Sequence, residues 1–237
     1  MLVRTIDFET TGFPPTAAVI EAAWCDLDTE SGRITPAEGR LCNPFRVNPD
    51  LVMTPEAMAV HHIIKADLAD AASVDVAFRD MAAGDHGAWA AHNAAFEREF
   101  FGGGAKPWLC TMKAARRIWP DAPSHSNQVL RYWRGLDGLP DFDRALAALS
   151  HRAAPDAYVT AFLLRAMLET GVSVEQMIGW TDTASLLPRV FFGKHRGASW
   201  EEVPLDYLQW LSKQTNLEPD VRFTVKHHIG LRHGRAM

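Results

Sequence analysis

LVRTIDFETTG, residues 2–12, is a strand-forming run that ends on two acids spaced two apart and then on a turn. Side chains alternate faces along a strand. Asp7 and Glu9 therefore project together, while Phe8 points into the opposite layer. Two carboxylates on one face repel unless a cation compensates them. Taken alone, the pair also fits a polar strand end leading into the turn at Thr10-Thr11-Gly12.

The next segments extend this strand into a sheet. AVIEAAWCDLD (18–28) and a segment near 33–43 follow at short spacing, separated by turn formers such as Ser31-Gly32, which predicts an antiparallel meander. Thr54-Pro55-Glu56 opens a helix, with Thr54 as N-cap and proline at the first helical position. A second helix is expected over 75–83, and GAWAAH (87–92) reads as a short buried strand. AAFEREFF (94–101) is helical up to Gly102-Gly103-Gly104. A strand at 107–110 leads to Thr111, an N-cap for MKAARRIW. Helices are expected near 126–134 and 141–149. The clearest helix is PDAYVTAFLLRAMLE (155–169), whose apolar positions 159, 162, 163, 166 and 167 share one face. Strands first, then alternating strands and helices, imply an α/β fold: a mixed sheet with helices on its faces.

GVSVEQMIGWTDTASLLP (171–188) reads as a transition to a second unit containing FFGKHRG, VPLDYLQWL and the helix EPDVRFTVKHHI. This gives a main domain over 1–172 and a small basic module over 183–237. The chain carries a net charge of −5, unevenly spread. Residues 183–237 hold eight Lys/Arg against five Asp/Glu, and the remainder holds 16 against 24. Acidic clusters suit divalent cations, and a basic tail suits phosphates.

With 237 residues, 47% hydrophobic and 22% charged, a packed globular core is expected. Strand-like sequence from Leu2 leaves no room for a secretory leader, and no run reaches the ~18 apolar residues of a membrane span. The expectation is a soluble, cytoplasmic protein without membrane contact. Cys25, Cys42 and Cys110 lack CxxC spacing and read as reduced, buried thiols, with a Cys25–Cys42 bridge as the alternative. His61-His62 and His227-His228 are adjacent pairs, not the i, i+4 pair of a helical zinc site. No heptad or broad apolar stripe indicates an oligomeric state.

Two further blocks carry acids. Glu97 lies in HNAAFEREF on a short helix after a buried strand. His151 and Asp156 lie in HRAAPDA at the start of the strongest helix. Each has a plain structural reading: Glu97 as a solvated face beside Arg98 and Glu99, Asp156 as a carboxylate favoured by the helix dipole, His151 as a surface histidine.

In this order the three blocks resemble the DEDDh exonucleases, a branch of the ribonuclease-H-like superfamily. Asp7-Phe8-Glu9-Thr10-Thr11-Gly12 matches the family's D-x-E-T-T/C-G. His151 through Ala157 matches H-x-A-x-x-D-A. His92 through Glu97 matches H-N-A-x-F-D in all but the length of its acid. TPEAMAVHHI (54–63), WLCTMKAARRIWP (108–120), SNQVL (126–130) and the tail are similar to one branch of that family, so the likeness runs over nearly the whole chain. The resemblance implies a ribonuclease-H-like mixed five-stranded sheet flanked by helices, plus a small C-terminal α+β module.

The resemblance also implies an activity: 3′→5′ hydrolysis of DNA, releasing 5′-nucleoside monophosphates, with a role in DNA repair. Asp7, Glu9 and Asp156 would ligate metal, with Glu97 supporting a second ion and His151 as general base. The cofactor would be two Mg²⁺, with Mn²⁺ as a substitute. The partner would be single-stranded DNA and duplex 3′ ends. Thr10, Phe13, Met58, His61 and Asn93 are the expected substrate contacts, and Lys194 and Arg196, with Lys213, Lys226 and His227, the expected backbone contacts of the tail. Competing readings are a 3′→5′ exoribonuclease and a nucleic-acid-binding protein whose site is impaired at Glu97.

Overall fold

The computed structural model describes residues 1–234. The last three residues of the expected C-terminal module lie outside the described residues. The chain opens as an antiparallel meander of β1 (Leu2–Thr10), β2 (Val19–Asp28) and β3 (Glu38–Leu41). Helices α1 (Pro55–His61) and α2 (Val74–Ala82) follow, then β4 (Ala88–Ala91), α3 (Ala94–Phe100) and β5 (Trp108–Cys110). The sheet order is β3-β2-β1-β4-β5, with β4 and β5 parallel to β1. This is the mixed five-stranded sheet flanked by helices that the sequence predicts.

Alternation along β1 assigns the two layers. Val3, Thr5, Asp7 and Glu9 face one side, and Ile6 and Phe8 pack on the other with Ala77, Met81 and Ala94 of α2 and α3. The first side is covered by α4 (Thr111–Ile118), α5 (Asn127–Trp133), α6 (Ala153–Leu168) and α7 (Val174–Thr181). The apolar contact between the start of α6 and β2 is made by alanines: Ala23 against Ala153 and Ala157. Small side chains let the helix lie close to the strand, and a Cβ on Gly39 of β3 would already touch that of Ala154 at 3.4 Å. This close approach carries Asp156 to the sheet. Thr5 pins the contact, its hydroxyl lying 2.9 Å from the carbonyl oxygens of both Cys25 and Ala157.

Four local expectations change, the first being Thr111, which is the first residue of α4 and not its N-cap, a place taken by Cys110. Residues 141–149 form turns, not a helix. Asp143 there accepts the Ala145 backbone N–H at 2.8 Å, a local bond that competes with helical pairing. Helix α6 starts at Ala153, two residues before the expected 155. Pro155 fits there because first-turn N–H groups have no intrahelical partner anyway. The stretch read as a transition contains α7, capped by Ser173 and Gln176, which packs Val174 and Met177 into the main core.

Beyond it, α8 (Leu205–Ser212) and α9 (Pro219–Arg232) enclose a separate apolar cluster, and the β content there is one antiparallel bridge, Arg189 to Ser199. Asp220 at the start of α9 ties this unit to α4 through Arg116 at 2.7 Å. All three cysteines are free and buried, and burial pushes the thiols of Cys25 and Cys42 up to about 12. No helix among the described residues is long and apolar enough to cross a membrane.

Candidate metal and catalytic site

The end of β1 and the start of α6 build the site between them. Asp7 stands opposite Ala23 in the β1–β2 register, and Glu9 opposite Glu21. Alanine opposite Asp7 leaves room for the incoming helix. The register slips between Glu9 and Thr10, which turns the chain away just after the second acid. Ligand oxygens of Asp7, Glu9 and Asp156 all lie within 4.8 Å of one another.

Asp156 is fixed from three sides. Gln128 of α5 donates to its Oδ1 at 2.6 Å, and the His151 backbone N–H to its Oδ2 at 2.8 Å. The Asn127 side chain reaches the Asp156 carbonyl at 3.3 Å. His151 sits in the left-handed region (φ 60°), a conformation histidine tolerates better than most residues, and its ring is exposed. The next residue anchors this turn: Arg152 makes a two-pronged ion pair with buried Glu21, at 2.9 and 2.7 Å. The same glutamate accepts the Ala153 N–H at 3.1 Å, so a residue of β2 caps the orphaned first turn of α6.

The electrostatics point to missing positive charge. Burial, then the charges of Asp156, Glu9, Glu97 and Glu21, hold the Asp7 carboxyl well above its ordinary range. Burial, then Asp156 and Glu21, push Glu9 up to about 8, with Arg152 pulling the other way. Burial raises Glu97 to about 8, with Glu9 adding to it, and burial raises Asp156 as well. Glu97 is 3% exposed, and its Oε2 has no hydrogen-bond partner. An all-carboxylate oxygen set with an orphaned acid beside it fits hard divalent cations.

The pH dependence follows. Folded pKa values near 8 against about 4.5 unfolded mean that the native state binds more protons between those limits. Without metal, stability therefore falls as pH rises from about 4.5 through 8. Thermal unfolding in a chelator should show this decline. Added Mg²⁺ or Mn²⁺ should reverse it above pH 7 and release protons, measurable by calorimetry in two buffers.

Beside the carboxylates lies a cleft of about 480 Å³, lined by Glu9, Thr10, Phe13, Val60, His61 and Phe96 among others. Phe13 is 82% exposed, with its ring 6.3 Å edge-on from Phe96, so it is not a core residue. It also borders a second cleft of about 370 Å³ that includes Thr16, Asn48, Asp50 and Val52, and so forms the ridge between the two. His61 is buried. Its Nδ1 accepts the Ile63 N–H at 3.0 Å, and its Nε2 is left without a partner. Burial lowers its pKa, which keeps the ring neutral.

Met58 does not line this cleft. Ala57, Val60 and His61, at i, i+3 and i+4, share the cleft-facing side of α1, and position 58 is a fraction of a turn away. Asn93 adopts the left-handed region (φ 96°) at the start of α3, makes no side-chain cap bond and does not reach Glu97, so its evident work is the turn. The Thr10 hydroxyl bonds the Gly12 carbonyl at 2.7 Å and shapes the loop below Phe13. His92 is a tie within the fold, between Thr111 at 2.9 Å and the His125 carbonyl at 2.8 Å. Lys194 and Arg196 lie exposed on the C-terminal unit and line neither cleft.

Three contributors had no clear signal in the sequence: Gln128, Glu21 and Arg152. Their partners lie 28 to 131 residues away.

Comparison with known proteins gives four matches. The exonuclease family model matches residues 5–164. The chain is 33% identical to exodeoxyribonuclease 10 of Escherichia coli strain K12, over 96% of this chain and 99% of that protein. Among solved structures it is similar to exonuclease X in complex with 5′-overhanging duplex DNA. That match has TM-score 0.61 and 33% identity, covering 76% of this chain and 99% of that one. The nuclease domain of 3′hExo, a DEDDh family member bound to rAMP, shares the fold at TM-score 0.55 and 14% identity, covering 72% and 92% of the two chains.

Proposed function

The chain belongs to the exonuclease family and is a 3′→5′ DNA exonuclease; we propose that it works with two divalent cations, Mg²⁺ first and Mn²⁺ as substitute, and serves DNA repair. The observation that carries the metal reading is the convergence of Asp7, Glu9 and Asp156 within 4.8 Å beside an orphaned Glu97 oxygen. Asp7, Glu9 and Asp156 would hold the first ion, with Asp7 shared and Glu97 supporting the second. Such ions lower the pKa of a water and offset charge on the reacting phosphate.

The protein's own part is positioning and proton transfer. His151, exposed on a turn anchored by its backbone bond to Asp156, accepts the proton of the attacking water. The water oxygen bonds to phosphorus while the bond to the preceding 3′ oxygen breaks. That oxygen leaves with a proton from solvent, and a 5′-nucleoside monophosphate departs. The cleft takes the terminal nucleotide, with Thr10 and His61 in its wall and Asn93 at the rim of the site. Phe13, on its ridge, stacks on the terminal base and parts a duplex end. The 183–234 unit adds DNA affinity through Lys194 and Arg196.

Glu97 tunes this site. The family pattern has an aspartate there, and the extra methylene carries a buried carboxylate toward Glu9 and Asp7. The wild type should be active, with a metal preference set by that reach. Matched DNA and RNA oligonucleotides should be digested in Mg²⁺ and in Mn²⁺ by wild type and Glu97→Asp. The expected result is faster release from DNA and a shift of about ten-fold in the Mg²⁺/Mn²⁺ rate ratio. A silent wild type rescued by the shorter acid would show that Glu97 cripples the site. Preferential RNA digestion would make the enzyme a ribonuclease.

A further inference from the structure

The unit beyond residue 186 carries an exposed aromatic and basic face that the exonuclease site does not use. It has its own apolar core, including Leu187, Val190, Trp200, Val203, Leu208 and Val225. On this core sits the turn FGKHRG (192–197). Its ends are locked by backbone bonds, Val190 N–H to the Ala198 carbonyl at 3.0 Å and Gly197 N–H to the Val190 carbonyl at 2.7 Å. Gly193 takes the left-handed region (φ 61°), and a Cβ there would lie 2.9 Å from the Tyr207 hydroxyl. Glycine is therefore what allows the turn to rest on the tyrosine.

The rings beneath the turn form a continuous surface. His195 lies 4.6 Å from Tyr207, and Tyr207 lies 5.3 Å from Trp210 at an interplanar angle of 33°. The Lys194 ammonium stands 5.6 Å from the Tyr207 ring centre. Trp210 is 52% exposed. Leaving so large an apolar ring in water forgoes burial that would stabilise the fold.

Charge on this face is also uncompensated. Among the described residues, no Lys or Arg beyond residue 186 forms an ion pair, whereas the main domain pairs many of its own. Three of the acids on the same unit are engaged elsewhere, Asp220 with Arg116 of α4 among them. Glu202 accepts the Ser199 N–H at 3.0 Å, and Asp206 accepts the Tyr207 N–H at 2.8 Å. An ordinary solvated face would pair its cations locally. Here free cations flank a stack of rings, the combination that holds single-stranded nucleic acid by phosphate attraction and base stacking.

We propose that this face is a second DNA site, specific for an unpaired strand, in which Lys194 and Arg196 hold phosphates and Trp210 with Tyr207 stacks bases. It rests on the reading that the 183–234 unit contributes DNA affinity, and it names an unpaired strand as the partner of that unit. In a duplex, each base already has neighbours on both faces, so only an unpaired stretch offers rings to the tryptophan.

The test uses the full chain in a chelator, so that nothing is hydrolysed. Fluorescence anisotropy measures binding of a labelled thymidine 20-mer and of a blunt hairpin duplex. Trp210→Ala should weaken the single strand about five-fold or more. Trp210→Phe should keep most of the affinity, and the double variant Lys194→Glu, Arg196→Glu should weaken binding and flatten its salt dependence. Duplex affinity should change less than two-fold throughout. Unchanged single-strand affinity in Trp210→Ala and the double variant would overturn the site, and equal losses for duplex and single strand would overturn the assignment to an unpaired strand. Mononucleotide release from a dinucleotide in Mg²⁺ by the wild-type protein reads the exonuclease assignment separately.

Discussion

Asp7→Ala should abolish mononucleotide release, lowering the rate by about 10³-fold or more, and should at the same time stabilise the metal-free protein at alkaline pH. The first effect follows from the site's geometry. Asp7 is the member of the 4.8 Å triad that the other acids crowd most, and without it the remaining carboxylates cannot enclose a cation. Loss of several kcal/mol of charge stabilisation corresponds to three or more powers of ten in rate.

The second effect separates chemistry from damage. The folded-state pKa of Asp7 is raised, so its deprotonation costs stability above the unfolded value, increasingly as pH climbs. Removing the carboxylate removes that cost. A variant that lost activity by misfolding would melt earlier at every pH. Asp7→Ala should melt later than wild type at pH 8 in a chelator, and calorimetric titration with Mn²⁺ should show weakened binding.

His151→Asn should lower kcat by about 10²- to 10⁴-fold while leaving metal binding and stability close to wild type. Asparagine tolerates the left-handed backbone at this position, and the bond to Asp156 comes from the main chain, so the turn survives the change. The imidazole itself is exposed and anchors nothing. Asparagine cannot accept a proton near neutrality, so the loss falls on kcat and not on KM. A kcat within five-fold of wild type would mean that another group takes the proton.

The site was legible in the sequence where its parts are local. The two-residue spacing of Asp7 and Glu9 fixes their common face on any strand, and the apolar periodicity after Pro155 fixes the helix that carries Asp156. The sheet was legible for the same reason, because short β-rich runs at close spacing leave few pairings. What escaped is tertiary. Glu21 reads as an ordinary acid in a strand, and only the fold shows it opposite Glu9, clasping Arg152 and capping α6. Gln128 is one polar residue on a short helix until α5 packs against α6. The face of α1 turned to the cleft carries Ala57, Val60 and His61, and the sequence of α1 alone does not choose it over the face of Met58. The helix expected at 141–149 gave way to Asp143, whose side chain and whose contact with the Tyr158 hydroxyl at 2.9 Å hold the turns.

The most direct measurement follows a single-stranded DNA oligonucleotide labelled at its 5′ end, incubated with the wild-type protein in Mg²⁺ and resolved by length over time. A 3′→5′ exonuclease working through the carboxylate site yields a ladder of progressively shorter labelled strands with unlabelled 5′-mononucleotides, and no ladder in a chelator. Release of the label first as a mononucleotide, or a ladder that persists without divalent metal, would contradict the account.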